Sequence, residues 1–260
     1  MLIKKIMEII EYKELIKNFV IRDLKARYKG YVLGYLWSWL EPLITMLIFI
    51  FIFDIILKIK IENFPVYFLS GSIPWLFFSR SISSSVNSIV GNAGLIKNIY
   101  FPRVIYPLSV TLSNLVNLIL SLVVLIPIIL LFNVNITYKA LLLPLPLILM
   151  FFLVFGLALL FSCLNVYFRD ISYISGFILR FWFYASPIFY NIEDRVSARL
   201  LDLYLLNPLA VILMLFRTAL MGLNPPNIRS VLIASFVCIL TFIVGLWLFL
   251  DKEDKMVKMI

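Results

Sequence analysis

Histidine is absent from this 260-residue chain, which removes imidazole as a general base, a metal ligand or a proton relay. Cysteine occurs twice, as Cys163 and Cys238, each inside an apolar run with no second Cys beside it, so neither a zinc site nor a disulfide framework is expected. Both read as packing residues. Charge is scarce as well: 14% of residues are Asp, Glu, Lys or Arg and 63% are hydrophobic, with a mean hydropathy of +1.05. An ordinary soluble domain carries about 25% charged residues. Nowhere is there a Gly-rich stretch ending in Lys-Ser or Lys-Thr that would cradle nucleotide phosphates. Clustered carboxylates and a nucleotide-sugar loop are missing too, which argues against a membrane glycosyltransferase. No early apolar run is followed by a small-residue cleavage site, so no removable signal peptide is expected.

What remains is a chain of long apolar runs, several of which reach the ~20 residues a bilayer crossing needs. They predict an all-α, polytopic membrane protein with six transmembrane helices, over about residues 34–57, 64–90, 104–132, 140–164, 171–190 and 229–250. Residues 1–30 are different: Ile6, Ile9, Ile10, Ile16, Phe19 and Val20 recur at helical spacing among Lys4, Lys5, Glu8, Glu14 and Lys17. That pattern predicts an amphipathic interface helix lying along the cytoplasmic membrane surface, with residues 31–260 forming the transmembrane domain. The net charge of +9 then sets topology and holds anionic headgroups, with no need of nucleic acid. Lys and Arg crowd residues 1–30, the segment 97–103, Arg169 and the tail from Lys252, about twice as many as fall on the opposite side. Both termini are accordingly expected in the cytoplasm, at a cell membrane crossed several times.

Polar residues inside the apolar runs are the next signal. Glu41 sits near the start of the first run and Arg80 in the Ser-rich second half of the second; a charge at membrane depth needs a partner, and each is a candidate for the other. Pro107 and Pro127 are expected to kink the third run, while Pro144 and Pro146 fall in the first turns of the fourth. The fifth carries Phe177, Phe181 and Tyr184 at helical spacing, a pattern that serves helix packing or a substrate route alike. From 191 to 227 the chain turns mixed, and its apolar piece from Leu209 to Gly222, with Arg217 inside, is short for a crossing. A re-entrant helical hairpin at the outer surface, before the last span, fits it.

Two polar interruptions carry the rest. Residues 91–103, Gly-Asn-Ala-Gly-Leu-Ile-Lys-Asn-Ile-Tyr-Phe-Pro-Arg, make an elbow between two long runs, suited to receive force from a soluble partner, although a plain connecting loop has the same spacing. Asn165-Val-Tyr-Phe-Arg-Asp170 ends the fourth run; its Arg169-Asp170 pair could bind a partner or headgroup, or act as a positive anchor with a helix-capping Asp.

In order and spacing these pieces resemble one family over nearly the whole chain: the membrane subunit of type 2 ABC exporters that move polysaccharides, such as O-antigen and teichoic acid. The matching stretches are Arg27-Tyr-Lys-Gly-Tyr-Val-Leu-Gly-Tyr-Leu-Trp37 with Pro42-Leu43, Gly94 to Arg103, Asn165 to Asp170, Ser186-Pro-Ile, and Asn207-Pro-Leu with Arg217. The resemblance implies a homodimer in a bacterial inner membrane, two copies of a separate ATPase subunit that binds ATP and Mg, and docking of that subunit on Lys97, Asn98, Tyr100, Phe101 and Arg103. No cofactor or metal is implied in this chain itself. It further implies a gate region containing Asn207, Pro208 and Arg217, a cytoplasmic motif of Asn165, Tyr167, Arg169 and Asp170, and a lipid-linked polysaccharide as cargo. Arg27, Lys29 and Arg169 are candidates for the lipid diphosphate, and Phe177, Phe181 and Tyr184 for the sugar rings. An exporter of a drug or lipid on the same fold, or an ATP-independent carrier, remains open on sequence.

Overall fold

The computed structural model describes residues 8–30, 32–56, 63–98, 101–192 and 198–259. Among these residues it is all-helical, without strands. Helix α1 (Lys13–Tyr28) is followed by α2 (Trp37–Ile50), which runs on into a π-helical turn at Phe51–Ile56. Next come α3 (Phe64–Val86), the short α4 (Ala93–Asn98), α5 (Ile105–Leu131), α6 (Pro144–Tyr167) and α7 (Ile171–Tyr184). The chain ends with α8 (Ala198–Tyr204), α9 (Pro208–Met221) and α10 (Ile228–Met259).

Among the described residues three stretches are long and apolar enough to cross a bilayer: Ile105–Leu131, Tyr138–Tyr167 and Ile228–Met256. At 1.5 Å per residue, a helix the length of α5 spans roughly 40 Å, more than the ~30 Å hydrocarbon core. Trp37–Phe53 and Pro208–Met221 are apolar but shorter. The second expected run is long enough as α3, yet its Ser-rich half lowers its hydropathy, and the fifth is a helix of 14 residues. The kink expected at Pro107 has no basis in the helix, because Pro107 lies in the first turn of α5, where a missing N–H costs no intrahelical bond; Pro127 is the proline in its interior.

Hydrogen bonds fix which ends meet. Asn165, near the end of α6, donates through Nδ2 to the Val86 carbonyl at 3.0 Å and to Asn87 Oδ1 at 3.1 Å, beside the elbow. At the other end of α6, Lys139 Nζ donates to the carbonyls of Gly222 (2.9 Å) and Leu223 (3.1 Å), satisfying acceptors that the end of α9 leaves open. The two ends of α6 thus mark an elbow end and an α9 end of the bundle.

Two apolar clusters correspond to these ends. The larger packs α3, α5, α6 and α9 together, through residues such as Phe68, Phe78, Leu125, Met150 and Phe216. The smaller joins the elbow to α1, the start of α5, the end of α6 and α10, through Ile96, Phe101, Tyr106, Leu159 and Phe249, with Leu15, Ile16 and Phe19 of α1 packed against it. Between α6 and α10 the backbones nearly touch: a Cβ built on Gly245 would lie 2.4 Å from the Gly156 carbonyl oxygen. Only glycine allows that approach. Cys163 and Cys238 are buried and unbridged, the packing role their apolar surroundings indicated.

Candidate functional site

The elbow is built as a polar surface on an apolar footing. Ile96 of α4 is buried, whereas Gly94, Leu95, Lys97 and Asn98 are exposed. A short helix with one buried side chain can be held in place and still offer its other faces to a partner. Phe101 and Arg103 lie elsewhere, inside the protein. The Phe101 ring packs against Tyr106 (centroids 5.4 Å apart) and edge-on to Phe19 of α1 (6.2 Å), and Phe19 stacks on Tyr106 at 5.4 Å. The backbone N–H of Arg103 donates to Glu253 Oε1 at 2.7 Å. Two of the five expected docking residues, Phe101 and Arg103, are thus internal bracing, and Lys97 and Asn98 are exposed. Tyr100 lies outside the described residues.

The second cytoplasmic motif divides in the same way. Asn165 is 2% exposed and ties α6 to the end of α3, and the Tyr167 ring packs on the smaller cluster. Arg169 and Asp170 are exposed. Asp170 occupies the cap position of α7, but its side chain makes no capping hydrogen bond, so the capping role considered for it is not realised. Among the basic candidates, Lys29 lines an open groove with Arg22, Lys25 and Asn18. Arg27 is half-buried with Nη1 unpartnered, and Arg169, at the α6–α7 corner, does not belong to that groove.

Arg80 pairs with Glu41, as two charges in apolar runs required. Both side chains are partly exposed, on α3 and in the first turns of α2. Removing either charge alone, as Glu41→Gln or Arg80→Gln, is expected to lower stability more than the double variant accounts for. A double-mutant cycle of thermal unfolding in detergent should return an interaction of about 1 kcal/mol; additive effects would show that the pair contributes nothing.

At the opposite end, two sequence motifs meet. Asn207 Oδ1 accepts from the Leu209 N–H and the Trp182 indole N–H, both at 3.1 Å, and its Nδ2 donates to the Ala185 carbonyl and Ser186 Oγ, both at 3.3 Å. One side chain thereby caps α9 and clasps the end of α7. Pro208 fills the first helical position, where its missing N–H is harmless. Behind this clasp α9 is buried almost throughout, with Leu209, Val211, Ile212, Leu213 and Phe216 fully covered. Arg217, 3% exposed, donates through Nη2 to the Ile188 carbonyl at 2.9 Å and, at 3.5 Å, to that of Tyr67, and its guanidinium lies 3.6 Å from the Tyr67 ring centroid. Sequence reasoning missed the supports of this arrangement. Gly71 clears space for the guanidinium, since a Cβ there would meet Nη2 at 2.8 Å, and the Tyr67 hydroxyl donates to the Tyr190 carbonyl at 2.9 Å.

The aromatic stripe of α7 does not enter the core. Phe177, Phe181 and Tyr184 are 68%, 74% and 66% exposed, and Tyr173, which sequence reasoning passed over, extends the same face at 76%. Four large rings turned outward from one helix face lipid, another copy of the chain or a passing substrate.

Comparison with known proteins adds the following. The family model described as ABC-2 type transporter matches residues 14–221. The O-antigen export system permease protein RfbA of Myxococcus xanthus is 33% identical over 211 residues, covering 80% of both chains. A protein of the same name from Klebsiella pneumoniae is 31% identical over 229 residues, 88% of each chain. The polysialic acid transport protein KpsM of Escherichia coli is 27% identical over 252 residues, 94% of this chain and 95% of that one.

Proposed function

Since the chain belongs to the ABC-2 type transporter family, we propose that it is the membrane subunit of an ATP-driven exporter of lipid-linked polysaccharide, working with a separate ATPase. Relatives named for O-antigen export and polysialic acid transport support this class of cargo. The observation that carries the coupling role is the elbow, whose exposed Lys97 and Asn98 are footed on buried Ile96 and Phe101. In this reading two copies of the chain meet in a bacterial inner membrane, each with six spans and both termini in the cytoplasm, and two ATPase subunits bind ATP and Mg. Closure of the ATPase pair pushes α4, and through the Phe101–Phe19–Tyr106 contacts the push reaches α1 and α5 together. A push shifts the equilibrium only if the elbow contacts differ between the closed and open states.

The exposed rings of Tyr173, Phe177, Phe181 and Tyr184 then line the route, because flat aromatic faces stack on the apolar faces of sugars without requiring one sugar order. Lys29, with Arg27 and Arg169 nearer the bilayer surface than the core, supplies cations for the lipid diphosphate. The return at 191–227, held by Asn207, Pro208 and Arg217, closes the outer end.

The test is purification of the tagged chain from native membranes with mass identification of what accompanies it. An ATPase and a lipid-linked glycan are expected; the ATPase with small lipids alone would reassign the cargo, and no ATPase would sink the proposal. In the same assay Lys97→Glu should cut recovery of the ATPase by about tenfold, a loss near 1.4 kcal/mol, while the chain still inserts. Unchanged recovery would remove the elbow as the docking site.

A further inference from the structure

Glu253 stands apart from the charged residues around it. Asp251, Asp254 and Lys255 are exposed, as expected where α10 leaves the apolar region, but Glu253 is 5% exposed. Phe249 and Met256, four residues before it and three after, lie on the same helix face and are fully buried in the smaller cluster. Packing on both sides therefore fixes where the carboxylate points. It points at the start of α5, where Oε1 accepts the N–H of Arg103 at 2.7 Å.

The turn leading into α5 is closed by its own backbone, the Ile105 N–H donating to the Pro102 carbonyl at 3.2 Å and the Tyr106 N–H to the Arg103 carbonyl at 3.1 Å, which leaves the Arg103 N–H pointing outward from it. The first turn of α5 contains no acidic residue, and its cap residue Val104 gives no side-chain hydrogen bond. The positive end of the helix dipole favours a negative group here. The chain supplies one from 150 residues further on. A carboxylate serving only to keep the tail in solvent has no reason to be buried between Phe249 and Met256 and aimed at a backbone N–H.

We propose that Glu253 is a positioning residue for energy coupling: it ties the end of the elbow, just before α5, to α10, so that a push arriving at the elbow moves α5 and α10 together. This rests on the reading of the elbow as the place where the ATPase docks. Without this tie, the ATPase still docks on Lys97 and Asn98, but the elbow yields under the push and less transport follows from each ATP hydrolysed.

The experiment uses the complete transporter, with its ATPase, carrying Glu253→Ala or Glu253→Gln. Glutamine keeps the shape and an acceptor oxygen for the Arg103 N–H, and so separates the hydrogen bond from the charge. Three quantities are read: ATPase recovered with the chain, polymer exported per ATP hydrolysed, and hydrogen exchange of the 101–106 amides. For Glu253→Ala, ATPase recovery should be unchanged, exchange faster, and export per ATP lower by about tenfold, with Glu253→Gln restoring most of both losses. Faster exchange with normal export per ATP would overturn the proposal, as would an equal coupling loss in both variants. Recovery of the ATPase with Lys97→Glu tests the elbow reading separately, because that variant leaves the Arg103–Glu253 bond in place.

Discussion

Valine at position 245 is expected to keep the chain from accumulating as a folded protein. The Cβ of any larger residue would sit 2.4 Å from the Gly156 carbonyl oxygen and 3.0 Å from its carbon, and these are backbone atoms that cannot rotate away. Helices α6 and α10 would have to separate, pulling apart Phe152 and Phe155 from Phe242, whose centroids lie 5.1 Å and 5.8 Å away. Overpacking a core usually costs about 1–3 kcal/mol, but a backbone clash that parts two long helices should exceed about 4 kcal/mol, a large fraction of the stability of a typical domain. Gly156→Val should behave alike, as its Cβ would lie 2.7 Å from the Cα of Phe242. The control is Gly176→Val on α7, where nothing lies within 4 Å of the added carbon. Membrane-fraction yield and thermal unfolding in detergent check the set; a near-normal melting point for Gly245→Val would mean that the two helices need no close backbone contact.

Why this pair was invisible in the sequence is instructive. Each glycine sits singly in a long apolar run, and nothing in either run says which other helix will lie against it. The all-helical fold and its three long apolar helices were legible, because composition and run length mark a stretch fit to cross a bilayer. The Glu41–Arg80 pair was legible for a related reason: few charges occur at membrane depth, so few pairings are possible. The elbow was legible only in part in the placement of its residues. Its polar composition marks a surface segment, yet polar sequence does not say which residues the surface keeps, and Phe101 and Arg103 turn inward because α1 and α10 come to meet them. Asn165 was singled out with an exposed motif for the same reason, although its amide is spent on Val86 and Asn87 across the bundle. The Ser186 and Asn207 motifs were found as separate signals; that they hydrogen-bond to each other is a fact of tertiary structure.

Arg217 is where loss of a single side chain should most affect transport without preventing assembly. Its guanidinium ties three pieces of the α9 end to one another: α9 itself, the Ile188 carbonyl after α7, and the Tyr67 carbonyl and ring on α3. Arg217→Ala would strand both carbonyls in a dry site and open a cavity, at about 3 kcal/mol. Arg217→Lys should recover little, because an ammonium cannot lie flat on the Tyr67 ring while reaching carbonyls in two directions. Export in cells should fall to background in both variants, while the ATPase, whose proposed docking surface is the elbow at the far end of the bundle, is still recovered with the chain. Normal export by Arg217→Lys would show that a positive charge suffices and the planar fork does not matter. Gly71→Ala offers an approach that leaves Arg217 intact: the added carbon would press on Nη2 at 2.8 Å and on the Ile188 carbonyl at 3.1 Å, displacing the same guanidinium from the opposite side. If the geometry of this contact is what transport needs, Gly71→Ala should reproduce the export defect, and combined with Arg217→Ala it should add less than it does alone, since the group it displaces is already gone.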